Sequence, residues 1–335
     1  MGSVLENAEQ DLAAQGVLEP RRTSSVGMLT MAYGPRKFLA MAVSLARSLR
    51  LHQPDMPRAI VTDSRDAEVL RAFDVVLPLN PAYGTMYFQK MSADLYSPFD
   101  ATVYIDSDCL AFRSIAPYLD DLLAGPVGVI GRDMTEGTNR WWGVNFGEFT
   151  KRHKLAWMPT FQGGVFAFKK SAESSAVLSG AREVMASFDS YGFTGDGRYT
   201  GLAAVNDEPC LALSLAKHGV HAVPDDGAIM RVPVGLQGPL TIDVLRGVSR
   251  LKMNGEVVRP AIVHFADVWN REPIYRREQM KLALVDRLPM SRSMISHAVN
   301  LAFNPPYCFY SGAVRAIKRV VRGGRRPNHP VALWP

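Results

Sequence analysis

Apolar and polar positions along this chain fall into blocks of two kinds. Residues 27–33 (GMLTMAY) form a nearly unbroken apolar run, the pattern of a strand buried on both faces. Gly34 and Pro35 follow, giving a turn and a fixed φ for a helix start. Phe38, Met41, Ala42, Leu45 and Leu49 then recur at helical spacing. The same alternation continues with a short strand ending at Asp63 (RAIVTD), a helix around 67–73, a strand from Asp74 (DVVLPL), a helix near 86–96, and a strand ATVYID ending at Asp106. Later segments are more mixed. Strands are expected from Val127 (VGVIG) and Phe161 (FQGGVFAFKK), a long helix after Ser171, a Gly-rich loop over 191–201, and a helix over 207–217. Short strands follow near Val220, Ile229 and Ala261, the last carrying His264.

Strands alternating with helices at this interval predict an α/β fold with crossover connections, a mostly parallel central sheet and helices on both faces. Such sheets bind ligands at the C-terminal ends of their strands, which is where Asp106 falls. No internal repeat or low-complexity linker divides the chain. The expected organisation is a polar leader over 1–25, one catalytic domain over 26–285, and a helical basic extension over 286–335. Within the domain, 26–110 is the nucleotide-binding half and 111–285 the half for donor sugar and acceptor.

Composition narrows the picture. Among 335 residues, 47% are hydrophobic and 21% charged, so a core can be buried and disorder is not the default. Cys109, Cys210 and Cys308 are widely spaced, giving neither a disulfide framework nor a Cys-x-x-Cys motif, and a reducing compartment fits best. The N-terminal stretch is acidic and polar, unlike a signal peptide, and no stretch approaches the length of a membrane span; the expected location is the cytoplasm. The net charge of +6 gathers at the C-terminal end in Arg315, Lys318, Arg319, Arg322, Arg325 and Arg326, which argues against a nucleic-acid binder with a basic docking face. Val314, Ile317, Val320 and Val321 fall on another face of that segment. It reads either as a helix docked on the body or as a peripheral contact with the inner face of an anionic membrane.

In IDSDC, Asp106 and Asp108 leave an otherwise apolar strand with one residue between them. Alternate side chains on extended backbone share a face, so two such carboxylates can converge on a hard cation such as Mg2+ or Mn2+, which in turn bridges diphosphate oxygens. The plainer reading is a pair of loop carboxylates capping a turn.

VYIDSDCLAF resembles the hydrophobic-Asp-x-Asp segment of the GT-A glycosyltransferases, family 8 in particular, which includes glycogenin and lipopolysaccharide glycosyltransferases. Five segments are similar to the family's in the same order: GMLTMAYGPRKFLAMAVSLARSLR, FQKMSADLYSPFDATVYIDSDC, FQGGVFAFKKS, NDEPCLALSLAKHG and IVHFAD. The resemblance covers about residues 27–275. It implies a Rossmann-like GT-A fold in which Ala32, Tyr33 and Asp63 hold the nucleoside, and Lys90 lies near the sugar or phosphates. Asp106, Asp108 and His264 would hold the metal, with Asp106 and Ser107 also toward the ribose. Gln162, Gly163 and Gly164 would line the donor-sugar pocket, and Asp207 and Glu208 would grip the transferred sugar. The implied catalytic set is thus Asp207, Glu208, Gln162 and Lys90.

Each position also has a structural reading. Gly163–Gly164 suits a β-bulge, Asp207-Glu208-Pro209 suits a helix N-terminus, and His264 suits a hydrogen-bonded core histidine. The chain departs from the family after His264, where HFADVWNREPIYRRE lacks the glycine and the lysine-proline-tryptophan; Arg271, Arg276 or Arg277 would have to meet the leaving diphosphate. Glu208 stands where a glutamine is more usual. Residues 135–149, with Trp141 and Trp142, and the 191–201 loop are the lid and acceptor candidates.

The resulting expectation is a metal-dependent hexosyltransferase that moves a sugar from a nucleoside-diphosphate sugar, UDP-hexose first, to a small-molecule or lipid-linked saccharide acceptor with retention of configuration. Two alternatives stand beside it. One is a phosphatase of the haloacid-dehalogenase type, with Asp225–Asp226 as its second acidic pair; its nucleophile strand normally opens the core. The other is a non-catalytic sugar-nucleotide-binding protein.

Overall fold

The computed structural model describes residues 26–195, 197 and 204–303. The polar leader, Cys308 and the basic C-terminal segment lie outside the described residues, as does part of the 191–201 loop. Strands in chain order are β1 (Val26–Met31), β2 (Arg58–Thr62), β3 (Val75–Pro78), β4 (Ala101–Ile105), β5 (Cys109–Ala111), β6 (Val127–Met134), β7 (Thr138–Asn139) and β8 (Val144–Asn145). There follow β9 (Met158–Lys169), β10 (Val223–Pro224), β11 (Met230–Arg231), β12 (Thr241–Asp243), β13 (Val248–Met253), β14 (Glu256–Val258) and β15 (Ile262–His264). The helices include α1 (Arg36–His52), α2 (Ala67–Ala72), α3 (Tyr87–Lys90), α4 (Ala93–Tyr96), α5 (Leu119–Leu122), α6 (Phe146–His153), α7 (Ala172–Ala186), α8 (Phe188–Tyr191), α9 (Asp207–Lys217) and α10 (Pro273–Val285).

Two compact units interleave along the chain. Among the described residues, the first holds 26–43, Asp55–Ser107 and Tyr118–Asp225; the second holds Ser44–Pro54, Asp108–Pro117 and 226–303. The first unit is built on a seven-stranded sheet in the order β10-β6-β9-β4-β1-β2-β3. β1 pairs in parallel with β2 and β4, β2 with β3, and β10 with β6. β9 runs antiparallel to both β4 and β6, so the sheet is mixed at its centre. β2 and β4 are buried at every position, and Leu29, Val61, Tyr104, Phe166 and Phe168 join one apolar core with α7 and α9. α9 packs on both α7 and β9.

The helix expected near 86–96 is two short helices, α3 and α4, with Ser92 between them. The loop ahead of α3 is pinned from inside: Gln89 Nε2 donates to the carbonyls of Asn80 and Gly84, each at 2.7 Å. Met86 takes φ 52, a left-handed value that only the surrounding contacts sustain in a residue with a Cβ. This fixes where Lys90, the last residue of α3, must sit.

The second unit carries two three-stranded sheets, β11-β15-β5 and β12-β13-β14. Its interior holds an ion network: Lys281 Nζ lies 3.0 Å from Glu278 Oε1 and 3.0 Å from Asp243 Oδ2, and the Lys281 and Glu278 side chains are fully buried. Among the described residues, no helix is long and apolar enough to cross a membrane.

Candidate active site

In the first unit the chain leaves β4 at Asp106, whose amide donates to the Gly164 carbonyl at 2.9 Å. Lys90 reaches this carboxylate from α3, with Nζ 3.0 Å from Asp106 Oδ2 and 2.9 Å from Asp207 Oδ2. The ammonium also lies 5.5 Å above the Tyr104 ring, which stacks on Phe166. Burial disfavours the charge on Lys90, but the carboxylates of Asp106 and Asp207 outweigh it and hold the ammonium well above its ordinary pKa. An always-charged cation is thus clamped between two acids at the C-terminal end of a central strand.

Asp207 and Glu208 occupy the first turn of α9, where the helix dipole favours anions. The cap itself is Asn206, whose side chain accepts from the Glu208 amide, so both acids are released from capping. Opposite them β9 bulges. Val129 pairs with Phe166 and Gly131 with Phe161, leaving the residues between Phe161 and Phe166 with more length than β6 can match. The bulge turns the Gly163 amide onto Glu208 Oε1 at 2.7 Å and the Gly164 amide onto Gln162 Oε1 at 2.8 Å. A Cβ at Gly163 would meet Glu208 Cγ at 3.0 Å and Asp207 Oδ2 at 3.4 Å, so the absence of a side chain there permits this approach.

Trp142 completes the arrangement, donating from Nε1 to Glu208 Oε2 at 2.8 Å. Of the two tryptophans, Trp142 is fully buried and Trp141 is 66% exposed. Burial and the neighbouring Asp207 charge raise the Glu208 carboxyl to about 7, against the opposing pull of the Gly163 and Trp142 N–H groups and Lys90.

Ala32, Tyr33 and Asp63 meet at the ends of β1 and β2. The Ala32 amide donates to the Val61 carbonyl at 3.0 Å, the Tyr33 hydroxyl to the Met86 carbonyl at 3.3 Å, and the Gly34 amide to Asp63 Oδ2 at 3.2 Å. Asp63 therefore holds the turn after β1. Ser107 is half-buried in the turn that follows β4.

In the second unit, β5 and β15 run antiparallel with Cys109 directly opposite His264, which puts both side chains on one face. His264 Nε2 lies 3.0 Å from Asp108 Oδ1, while Asn270 Nδ2 donates to Asp108 Oδ2 at 3.2 Å. Burial works against the Asp108 charge, but the His264 imidazole and the Asn270 amide hold it below the usual carboxylate range. Donor atoms of Asp108, Cys109 and His264 all lie within 4.8 Å of one another, close enough to share one divalent cation. Of the three donors, the Asp108 carboxylate and the His264 imidazole suit Mn2+ better than Mg2+, which prefers an all-oxygen shell, while the Cys109 thiol is a softer ligand than either ion favours. The fully buried Tyr275 hydroxyl, close enough to Asp108 and Cys109 to feel their charge, has no hydrogen-bond partner among the described residues. An unsatisfied polar atom there is what an ion or its water would relieve.

Arg271 is exposed at the end of the 3-10 helix Asp267–Arg271, one residue past Asn270. Arg277 is committed elsewhere, to Glu278 Oε1 and the Ile242 carbonyl, each at 2.6 Å. Two contacts at the candidate site have no signature in the sequence. The Trp142–Glu208 bond joins residues 66 apart in sequence, and Asn270 carries no motif signal of its own.

No family model matches the chain, and no curated protein matches it. Solved structures do. A galactosyltransferase, LgtC, in complex with donor and acceptor sugar analogs, is 12% identical with a TM-score of 0.47, over 72% of this chain and 87% of its own. The WbbM bifunctional glycosyltransferase is 11% identical with a TM-score of 0.47, over 84% of this chain and 52% of its own. The glycosyltransferase GlyE of Streptococcus pneumoniae is 12% identical with a TM-score of 0.38, over 61% and 45%. Likeness of this degree assigns no residue, and the site described above stands on its own distances.

Proposed function

We propose that this protein is a GT-A-type glycosyltransferase that transfers a hexose from a nucleoside-diphosphate sugar, UDP-hexose first, to a saccharide acceptor in a metal-dependent reaction. The observation that carries the reading is an Asp-x-Asp pair at the end of β4 in which each carboxylate has its own partner: Asp106 is held by Lys90, and Asp108 by His264. A turn that needed only caps would not bury an ammonium and an imidazole against these two acids.

In this reading Asp108 and His264 hold Mn2+ or Mg2+, and the cation when bound would supply positive charge to the departing diphosphate. Ala32, Tyr33 and Asp63 receive the nucleoside, with Ser107 toward the ribose. Gly163 and Gly164 present backbone to the sugar, while Gln162, Asp207 and Glu208 orient its hydroxyls. Lys90 balances the carboxylates and stays charged through turnover. Arg271 serves the diphosphate in place of the absent lysine. The C–O bond to the donor phosphate breaks as the acceptor oxygen bonds the anomeric carbon from the same side, retaining configuration, and the acceptor's proton passes to a donor phosphate oxygen. The product diphosphate leaves with it.

The test is thermal unfolding of the purified protein with UDP-, GDP-, CMP- and dTDP-sugars, with and without Mn2+, since a ligand bound only by the native state raises the melting temperature. Metal-dependent stabilisation by one nucleotide series, lost in Asp108→Ala and His264→Ala, is expected. Stabilisation by none of them, with hydrolysis of a generic phosphate ester instead, overturns the reading in favour of a phosphatase.

A further inference from the structure

We propose that Trp142 is a positioning residue for Glu208, its indole N–H fixing the rotamer of that carboxylate and favouring its charged form. The inference rests on the reading of Glu208 as a group that faces the transferred sugar. Its structural basis is independent of any ligand.

Both Glu208 oxygens accept from N–H donors, Oε1 from the Gly163 amide at 2.7 Å and Oε2 from Trp142 Nε1 at 2.8 Å. Two donors on two oxygens leave the side chain one orientation. Trp142 is itself immobilised. Its ring meets Phe146 and Phe161 edge-on, with centroids 6.4 Å and 5.8 Å away. Its amide and that of Trp141 donate to Asn139 Oδ1 at 3.2 Å and 3.0 Å, and its carbonyl accepts from the Thr194 amide at 2.8 Å. The next residue, Gly143, has φ 69, and a Cβ there would lie 2.2 Å from Thr194 Oγ1. The chain thus turns under the indole in a way that only glycine accepts. A fully buried indole needs an acceptor for its N–H, and Glu208 is the one the structure supplies.

The electrostatics make this contact consequential. Asp207 on the same helical turn opposes charge on Glu208, while Lys90, with Asp106 and Tyr104 on its other sides, favours it. Burial and Asp207 raise the carboxyl to about 7, and the Trp142 N–H pulls against that rise, so loss of this donor moves the midpoint further up. Glutamine cannot replace it cleanly, because an amide offers one acceptor oxygen to two N–H donors.

The experiment is NMR of the ligand-free protein, following the tryptophan indole N–H signals and the glutamate side-chain carboxyl carbons through a pH titration. The Trp142 signal is identified by its loss in Trp142→Phe, and the Glu208 signal by its loss in Glu208→Gln. The expected result is that the two signals move with one shared midpoint, that the indole movement disappears in Glu208→Gln, and that the Glu208 midpoint rises in Trp142→Phe, which keeps the ring packing. An indole signal that stays still while Glu208 titrates overturns the proposal, as does an unchanged Glu208 midpoint in folded Trp142→Phe. If that variant fails to fold, the wild-type titration and Glu208→Gln still decide. No nucleotide sugar enters the test, so a coupled titration in a protein that binds none keeps this proposal and removes the transferase reading, while an uncoupled titration in a protein that binds one does the reverse.

Discussion

Lys90→Met replaces a buried ammonium by an apolar chain of similar length and leaves Asp106 and Asp207 facing each other without a cation. Asp207 is the more exposed to the consequence, since its side chain is only 7% accessible and its carboxylate lies 2.9 Å from the Lys90 ammonium. Breaking a buried ion pair by removing one partner typically costs about 3–5 kcal/mol, because the orphaned charge has no water to turn to. Asp106 is 23% accessible and can recover part of its hydration, so the lower half of that range, about 3–4 kcal/mol, is expected. This corresponds to a fall in melting temperature on the order of 10 °C. Asp207→Asn costs less, since Lys90 keeps Asp106. The double variant Lys90→Met/Asp207→Asn should then be more stable than Lys90→Met alone, because the second change removes the stranded charge. Chemical unfolding of the four proteins in one buffer, with circular dichroism as the check of fold, measures this coupling. A cost for Lys90→Met below about 0.5 kcal/mol, or additive effects in the double variant, refutes the clamp.

Gly163→Ala places a Cβ 3.0 Å from Glu208 Cγ, so the first turn of α9 must yield; a loss of about 1–3 kcal/mol in denaturant unfolding is expected. Glu208 binds its proton more tightly folded than unfolded, because burial raises it from 4.5 to about 7. Its contribution is fully present below pH 4.5 and lost as pH rises through 7, a swing on the order of 3 kcal/mol. Glu208→Gln should flatten the stability slope across that window, as read from urea midpoints at several pH values, and an unaltered slope would contradict the shift. Asn270→Ala frees Asp108 from the amide that orients it and, if the proposed cation site is right, should weaken Mn2+ binding about 10- to 100-fold by calorimetry, with His264 untouched.

The parts of this architecture that the sequence displays are those where burial is complete. β2 and β4 are buried at every position, and an unbroken apolar run records that directly. The direction of β9 is not recorded, because an apolar strand has the same composition whichever way it pairs; only its place between β4 and β6 makes it antiparallel to both. The short strands β12 and β14, three residues each, are too brief to carry a period. At the site, the acids, His264 and the paired glycines stand out as residue types whose burial needs a reason. Their geometry does not, since it depends on a bulge, on Asn206 taking the capping role, and on an indole donated from a distant hairpin.

The interleaving of the two units has a consequence for how the chain is made. Every segment of the first unit precedes Asp226, so its seven-stranded sheet is complete in sequence before most of the second unit has been synthesised. β5, by contrast, waits for β15, its only partner in its sheet among the described residues, and Asp108 waits with it for His264. Pairings this far apart in sequence form late, because the intervening loop must be closed first. On a ribosome, where domains form as the chain emerges, the carboxylate and imidazole proposed to share a cation would come together only after every strand of the seven-stranded sheet has been synthesised.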